Sequence, residues 1–231
     1  RSMAGGAAFG VACFAGIATL AWWRYGRPAL PWRHEADALL DRFMPAYDVV
    51  ERHRTFVRAP AAVTLQAAKN QDLLGHWLVR AIFDARGLVL GSGPDDSQAP
   101  RQLLPRMQSI GWRVLDEAEG REVVVGAVTR PWEANVVFRP IPPENFAAFA
   151  EPGYVKIVWS LRADPISDHQ SIFRTETRAL GTDSAAGARF RRYWAFASPG
   201  IALIRRLSLG PVKRAAERIA HGLPDRAAQR R

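Results

Sequence analysis

The sequence predicts an α+β domain, in which an antiparallel sheet carries helices on one face and is followed by a long C-terminal helix. Three observations lead to this prediction. Residues 48–58 alternate between two faces, as a strand does, and helical periodicity follows them. Strand-like segments then dominate residues 112–180, and an apolar stripe at helical spacing follows Asp183. A sheet with its helices on one face is a stable layered architecture.

The composition is that of a soluble domain with an excess of positive charge. The chain has 231 residues, of which 48% are hydrophobic and 23% charged, and this suits one domain with a sizeable core. The formal net charge is +10. Such a surface favours anionic partners such as membrane headgroups, nucleic acid or an acidic ligand. Solubility combined with an arginine-rich codon bias explains the same excess, and both interpretations stay open.

Cysteine and histidine usage argues against metal and thiol chemistry. The only cysteine is Cys13, so the rest of the chain has no disulfide and no thiolate ligand or nucleophile. The histidines show no metal-ligand spacing and are expected at the surface: His34, His53, His76, His169 and His221. The chain carries no Walker loop, no GxSxG, no HExxH and no CxxC motif. We therefore expect the domain to need no metal and no cofactor.

The N-terminus predicts one transmembrane helix. Residues 3–23 contain no charge and would span about 30 Å as a helix, the thickness of a hydrocarbon core. Trp22, Trp23 and Tyr25 suit an aromatic belt, and Arg24 and Arg27 follow them. The basic flank lies on the C-terminal side, so the large domain is expected in the cytoplasm. The alternative is a signal peptide, cleaved near residues 19–21, and a secreted protein.

The remaining chain divides into a linker, a domain and a tail. Residues 24–46 are predicted to form a proline-punctuated linker with a short helix over 37–43 that docks on the domain. The domain is expected over 47–209. Residues 210–231 follow a Gly-Pro break and are expected to form a basic tail near membranes.

Within the domain the patterns predict a strand, two helices, a run of strands and a final helix. A break at 198–200 is expected to kink or split that last helix, because Pro199 cannot donate a backbone hydrogen bond. The predicted bounds, in order, are 48–58, helices at 61–71 and 76–89, strands at 112–117, 122–129 and 134–139, a short helix at 144–150, strands at 154–163 and 172–180, and a helix from 183.

Five segments resemble the superfamily of START domains, polyketide cyclases and birch-pollen allergens, called SRPBCC, and its bacterial members in particular. They are VRAPAAV (57–63), VGAVTRPW (125–132), FAEPGYVKI (149–157), FRTETR (173–178) and RFRRYW (189–194). The resemblance covers about residues 47–209. It implies the helix-grip fold, in which a curved antiparallel sheet wraps around a long C-terminal helix and leaves a cavity between them. This fold hosts carriers, cyclases, hydrolases and receptors, so the resemblance fixes the fold better than the function.

The predicted cavity gives the main functional hypothesis, binding of a lipid, fatty acid or polyketide-like molecule. Hydroxyls among aromatic walls are typical of such sites, and we expect a volume of at least about 300 Å³. The residues expected to line the cavity are Trp132, Ile157, Trp159, Thr175, Thr177, Phe190, Trp194 and Ala197.

The first alternative is a cyclase or dehydratase that uses the same cavity. Glu133, in the loop after Arg130, would act as the acid–base residue if burial raised its pKa. A structural turn closed by an Arg130–Glu133 pair is the favoured interpretation of that loop. Arg174, Glu176 and Arg178 would either hold an acidic headgroup or, as we favour, face solvent and pair with Lys156 or Arg162.

The second alternative is a basic interaction protein that uses residues 205–231 on membranes or nucleic acid. Arg and aromatic residues interleave over 189–194, as in single-strand binders. On a helix, however, Phe190 and Trp194 share a face that the arginines do not, which indicates a core helix with a solvated basic side. Nucleic acid is therefore not an expected partner.

Overall fold

The fold is taken from a computed structural model, which describes residues 2–31, 36–72 and 100–222. The helix predicted over 76–89 lies outside these residues, as does nearly all of the loop after it. The elements are α1 (Ser2–Arg24), α2 (Ala38–Phe43), β1 (Val49–Val57), α3 (Ala61–Lys69), α4 (Leu103–Ser109), β2 (Arg113–Ala118), β3 (Glu122–Thr129), β4 (Phe138–Arg139), α5 (Pro143–Phe146), β5 (Val155–Ser167), β6 (Gln170–Gly181) and α6 (Ser184–Ala220).

The strands form one antiparallel sheet with the order β1-β6-β5-β3-β2, and β4 pairs with β3. Alternate residues of each strand point to opposite faces, so each strand supplies both sides of the sheet. The inner face packs against α3 and α6 and carries Val125, Trp159 and Phe173. The outer face packs against α2 and α5 and carries Val124 and Val158. The curved sheet and long C-terminal helix fit a helix-grip architecture.

Helix α6 begins where the chain leaves β6, and local contacts fix that start. Asp183 caps the helix, because its carboxylate accepts hydrogen bonds from the backbone N–H groups of Ala186, at 2.8 Å, and Gly153. The end of β6 also approaches the first turn closely. A Cβ atom at Gly181 would lie 2.7 Å from the backbone nitrogen of Gly187, so only glycine fits there. These contacts fix the direction in which α6 crosses the inner face.

Helix α6 is longer than the sequence predicts. It runs from Ser184 to Ala220 without a split at 198–200, and both Pro199 and Pro211 lie inside it. Each proline loses one backbone hydrogen bond, but buried side chains hold the helix on the domain beyond both. Val212 and Ala216 are buried in the core. The prediction of a tail from residue 210 is therefore wrong for residues 210–220, which belong to the domain.

Helix α1 lies against α6. The rings of Phe14 and Phe196 meet edge to face with centroids 5.9 Å apart. Arg191 donates a hydrogen bond to the Trp22 carbonyl oxygen at 3.0 Å and covers the Trp22 ring. In the part of the chain that the structure describes, no helix combines the length and apolarity needed to cross a membrane, so the predicted span over 3–23 is not supported.

The linker helix α2 is confirmed, and two other elements differ from the prediction. The Asp37 carboxylate accepts a hydrogen bond from the Leu40 N–H at 2.8 Å, and Leu40 is buried on the outer face. The predicted strand over 134–139 shortens to Phe138–Arg139, and the predicted helix over 144–150 shortens to Pro143–Phe146. Helix α4 was not predicted.

The packing of α6 past Pro211 predicts that Val212 stabilises the domain. Val212 is 1% exposed, so Val212→Ala should lower the free energy of unfolding by about 2 kcal/mol, measured by chemical denaturation. Ile219→Ala is the matched control on the same helix, because Ile219 is 55% exposed. That change should cost less than about 0.5 kcal/mol. Equal small effects would indicate that the end of α6 does not pack as described.

Candidate functional site

The candidate site is the middle of the inner face, where α6 crosses the sheet between two apolar clusters. The Trp194 cluster, at the start of α6, contains Val49, Val155, Ala179, Phe190 and Trp194. The Val212 cluster, at its far end, joins Val212 and Ala216 to α3 and the inner face. Trp194 and Val212 are 18 residues apart, which is about 27 Å of helix. Between the two clusters α6 presents Ser198, Ile201 and Arg205, which are spaced three and four residues apart and share one face.

Arg205 is the most unusual side chain in this middle section. Its guanidinium carbon lies 3.7 Å from the centre of the Trp159 ring, a close cation–π contact. The residue as a whole is partly exposed, while the guanidinium itself is enclosed. Burial lowers its pKa to about 10, and the charge of Glu51 opposes that shift. The group therefore stays charged at neutral pH.

The strands below Arg205 supply polar side chains. Glu51 and His53 on β1 face Thr177 and Thr175 on β6, and Trp159 on β5 lies beside Thr177. The indole N–H of Trp159 donates a hydrogen bond to the Thr175 hydroxyl. The Glu51 carboxylate lies 3.4 Å from His53 Nε2. This part of the sheet thus combines an aromatic wall with hydroxyls and a carboxylate–imidazole pair.

Among the described residues, two polar atoms in this region are buried without a hydrogen-bond partner. They are His53 Nε2 and the hydroxyl of Ser198, which is itself 3% exposed. Buried polar atoms in native proteins are nearly always hydrogen-bonded, so an orphan needs a physical explanation. Both lie between the sheet and α6, where water or a ligand would complete their hydrogen bonding.

The predicted lining residues fall into two groups. Trp132 and Ile157 pack against the Trp194 cluster, which contains the predicted residues Phe190 and Trp194. Trp159, Thr175 and Thr177 lie together farther along the sheet, as their register requires. Whether any of them contacts a ligand stays a prediction.

The predicted lining missed the polar positions. Ala197 is only partly buried, whereas its neighbour Ser198 is buried. The prediction selected apolar residues at helical spacing along α6, and it therefore did not include Ser198 and Arg205. His53, expected at the surface, has a side chain only 11% exposed. The alternation of β1 already placed Glu51 and His53 on one face, and that was the signal that could have identified them.

Glu133 is not placed for acid–base chemistry. Its side chain is exposed and forms an ion pair with Arg130 at 3.4 Å, which is the structural turn that the sequence favoured. The burial on which the acid–base hypothesis depended is absent there.

The charged residues of β6 lie on the outer face but do not face solvent as predicted. Glu176 and Arg178 are 6% and 1% exposed. Glu176 accepts hydrogen bonds from Arg52 at 2.8 Å and from Arg178 at 2.7 Å. Arg178 also donates to the carbonyl oxygen of Met44, and this ties α2 to the sheet. Arg174 pairs with Asp164 at 2.7 Å. Glu176, the carboxylate of the set, pairs with Arg52 and Arg178 rather than with Lys156 or Arg162 as expected.

A pair of carboxyl groups is also buried on the outer face. Burial, a hydrogen bond with Asp37 and the charge of Asp37, in that order of size, raise the pKa of Glu122 to about 9. Arg162 opposes this shift. The Asp37 carboxylate also accepts a hydrogen bond from the Ser160 hydroxyl at 3.2 Å. Glu122 is therefore protonated at neutral pH, which allows two carboxyl groups to share this site.

Two of the pockets lined by described residues include none of Ser198, Ile201 and Arg205 in their lining. One, of about 230 Å³, adjoins the outer-face charges and is lined by residues that include Asp37, Arg52, Arg162 and Glu176. The other, of about 370 Å³, is an open groove beside Tyr25, Asp48 and Arg191. The predicted cavity between sheet and α6 therefore stays a prediction. Among the described residues, no group of three or more His, Cys, Asp or Glu side chains could hold a metal ion.

Comparison with known proteins defines no family for this chain. No model of a known protein family matches it, and no curated protein does. Solved structures with similar chains include hypothetical protein jhp0584 from Helicobacter pylori, which has 8% identity to this chain. The match covers 81% of this chain and 96% of that chain, and its TM-score is 0.38.

Two further structures carry descriptive names. The Zhui aromatase/cyclase from Streptomyces sp. R1128 has 13% identity, covers 76% of this chain and 99% of its own, and gives a TM-score of 0.30. Ara h 8.0201 has 10% identity to this chain. The match covers 70% of this chain and 98% of that chain, and its TM-score is 0.22. Its own topology defines the class, an α+β domain of helix-grip architecture.

The raised pKa of Glu122 predicts an unusual dependence of stability on pH. Its folded pKa of about 9 lies above the ordinary value of 4.5, so the unfolded state binds fewer protons between these values. Stability from this group is complete below about pH 4.5 and falls as the pH rises, by up to about 1.4 kcal/mol per unit. Glu122→Gln should remove this slope in denaturation experiments at pH 5 to 8.

Glu119→Gln is the control for that experiment, because Glu119 is exposed in the adjoining turn. It should leave the pH dependence of the native chain unchanged. If Glu122→Gln also leaves the slope unchanged, Glu122 ionises normally and the carboxyl pair is not buried as described.

Proposed function

We propose that this chain is a member of the SRPBCC superfamily that binds an apolar small molecule between the inner face of the sheet and α6. The observation that carries the proposal is the division of α6 into two packed ends and a polar middle. Apolar side chains alone do not fill this middle section, because Ser198 and Arg205 are turned toward the sheet there. A ligand seated in it would be enclosed by protein on both sides.

The Trp194 cluster supports an apolar ligand. Trp132, Ile157 and Ile201 are only partly buried where they pack against it. An apolar surface that stays partly accessible is typical of a ligand site. The cluster would supply the apolar wall, and the hydroxyls of Thr175 and Thr177 would orient a polar group.

For the cyclase or dehydratase alternative, the candidate acid–base group is the Glu51–His53 pair instead of Glu133. The Glu51 carboxylate lies 3.4 Å from His53 Nε2 without a hydrogen bond, and the pair would have to close to hydrogen-bond distance to act in general acid–base catalysis. The binding proposal does not depend on this pair, since a cyclase and a carrier would both hold a ligand at the same place.

Filling the space below α6 should abolish binding. Thr177 is partly exposed on the inner face between Glu51 and Trp159. Thr177→Phe should reduce the affinity for the uncharged probe N-phenyl-1-naphthylamine at least about tenfold, a change of about 1.4 kcal/mol. The increase in probe fluorescence on binding measures the affinity.

Thr177→Val is the matched control, because it keeps the volume of the side chain and removes only the hydroxyl. It should bind the probe as the native chain does, while both variants keep the native melting temperature within a few degrees. Undiminished binding by Thr177→Phe would place the probe elsewhere, and no binding by the native chain would remove the proposal.

We also propose that α1 attaches the protein to a membrane. Residues 3–23 carry no charge, and Ile17, Leu20 and Trp23 are all at least 46% exposed. Ala18 and Ala21 are less exposed, on the side of α1 that packs toward α6. An exposed apolar helix face followed by Arg24 and Arg27 suits contact with lipid and anionic headgroups.

Charges on that face should release the protein from membranes. The double change Ile17→Lys and Leu20→Lys should shift the full chain from the membrane fraction to the soluble fraction, because a charge in hydrocarbon costs about 3 kcal/mol. Fractionation followed by immunodetection measures this. Val137→Lys with Ile166→Lys is the control, since both residues are more than half exposed elsewhere. A native chain found only in the soluble fraction would contradict the proposal.

A further inference from the structure

We propose that the ligand of the inner face carries a carboxylate, and that Arg205 binds this group while the hydrocarbon part lies toward the Trp194 cluster. This inference rests on the proposed ligand-binding function and names the chemical class of the ligand. It starts from the position of one positive charge between the sheet and α6.

The Arg205 guanidinium lacks a charged partner within the described residues. It lies on the Trp159 ring at 3.7 Å, and none of the described carboxylates forms an ion pair with it. The outer-face arginines differ, because Arg52, Arg162 and Arg178 each have a carboxylate partner at 2.8 Å or less. Removing a charge from water without a partner is costly, whereas pairing recovers much of that cost. An anionic ligand would supply the missing partner.

Glu51 does not take that role. It lies on β1, at one end of the sheet order, whereas Trp159 lies on β5 with β6 between them. Two strand spacings separate these backbones by about 10 Å. The Glu51 carboxylate is instead 3.4 Å from His53 Nε2. Its charge reaches Arg205 only at longer range, so an anionic ligand beside the guanidinium would be its first ion-pair partner among the described residues.

The groups around Arg205 suit a carboxylate. The planar guanidinium can donate two parallel hydrogen bonds to it, a geometry that lysine cannot match. Ser198 lies two helical turns earlier on the same face of α6, with a buried hydroxyl that has no hydrogen-bond partner. That hydroxyl would serve a second polar group of the ligand.

The spacing along α6 limits the length of the ligand. Arg205 and Trp194 are eleven residues apart, which is about 16 Å of helix. A chain that starts at Arg205 and runs under α6 therefore reaches the aromatic cluster with a medium-length hydrocarbon. Dodecanoate is a suitable probe, and dodecanol is its uncharged counterpart.

Competition between these two compounds tests the proposal. Each would displace N-phenyl-1-naphthylamine from the full chain at concentrations below micelle formation. The native chain should bind dodecanoate at least about tenfold more tightly than dodecanol. Arg205→Met keeps the length of the side chain and removes its charge, so it should lose that preference and retain dodecanol binding. Arg206→Met is the control, because Arg206 is exposed on the next position of α6.

The outcomes separate the two proposals. A preference that survives Arg205→Met, or that Arg206→Met removes equally, would overturn the carboxylate assignment and leave apolar binding intact. Failure of both compounds to displace the probe from the native chain would instead count against the proposed function.

A second measurement needs no variant, in case Arg205→Met does not fold. The carbon-13 resonance of dodecanoate labelled at its carboxyl reports the ionisation of the bound ligand. Beside Arg205 the carboxylate should stay ionised to a pH at least about one unit below that of the free acid. A bound carboxyl that titrates at or above the pH of the free acid would contradict the assignment.

Discussion

The structure depends on how one 37-residue helix lies across a curved sheet. A straight helix and a curved sheet cannot stay in contact along their whole length, so large side chains must fill the gap or it stays open. Here the ends of α6 are packed, by Phe190 and Trp194 at the start and by Val212 and Ala216 near the end. The middle is left to Ser198 and Arg205, and the proposed function follows from that division.

Buried charged groups have different partners on the two faces of the sheet, because different helices pack on each face. The outer face is covered by α2, whose Asp41 carboxylate and Met44 carbonyl complete the hydrogen bonding of Arg178. Glu176 is likewise shared between two arginines. On the inner face, Arg205 has an aromatic ring in place of a carboxylate, and His53 Nε2 and the Ser198 hydroxyl have no hydrogen-bond partner. The buried arginines Arg52 and Arg178 of the outer face are thus paired with a carboxylate, although Glu122 Oε1 has no hydrogen-bond partner there. Arg205 on the inner face has no ion-pair partner among the described residues.

Much of the fold could be predicted from the sequence, because strand alternation and turn chemistry are local signals. β3 matches its predicted bounds, and Asp183 caps α6 as expected. The end of α6 could not be predicted, since Gly210 and Pro211 favour a break that only tertiary packing of Val212 overrides.

The site was harder to predict than the fold, for a physical reason. An apolar stripe identifies the residues of a core, and it correctly brought Phe190 and Trp194 together. A binding face is partly polar, so the same rule selected Ala197 and passed over Ser198 and Arg205. The contact between Arg205 and Trp159 joins residues far apart in sequence, and no local pattern encodes it.

The most direct test of the central claim is a nuclear Overhauser experiment on the full chain with a bound medium-chain amphiphile. If the ligand lies between the sheet and α6, its methylene protons should show contacts to the Thr177 methyl group and the Trp194 ring. Contacts confined to exposed side chains of α1, such as Phe14 and Leu20, would contradict the account, because the ligand would then bind an outer apolar surface.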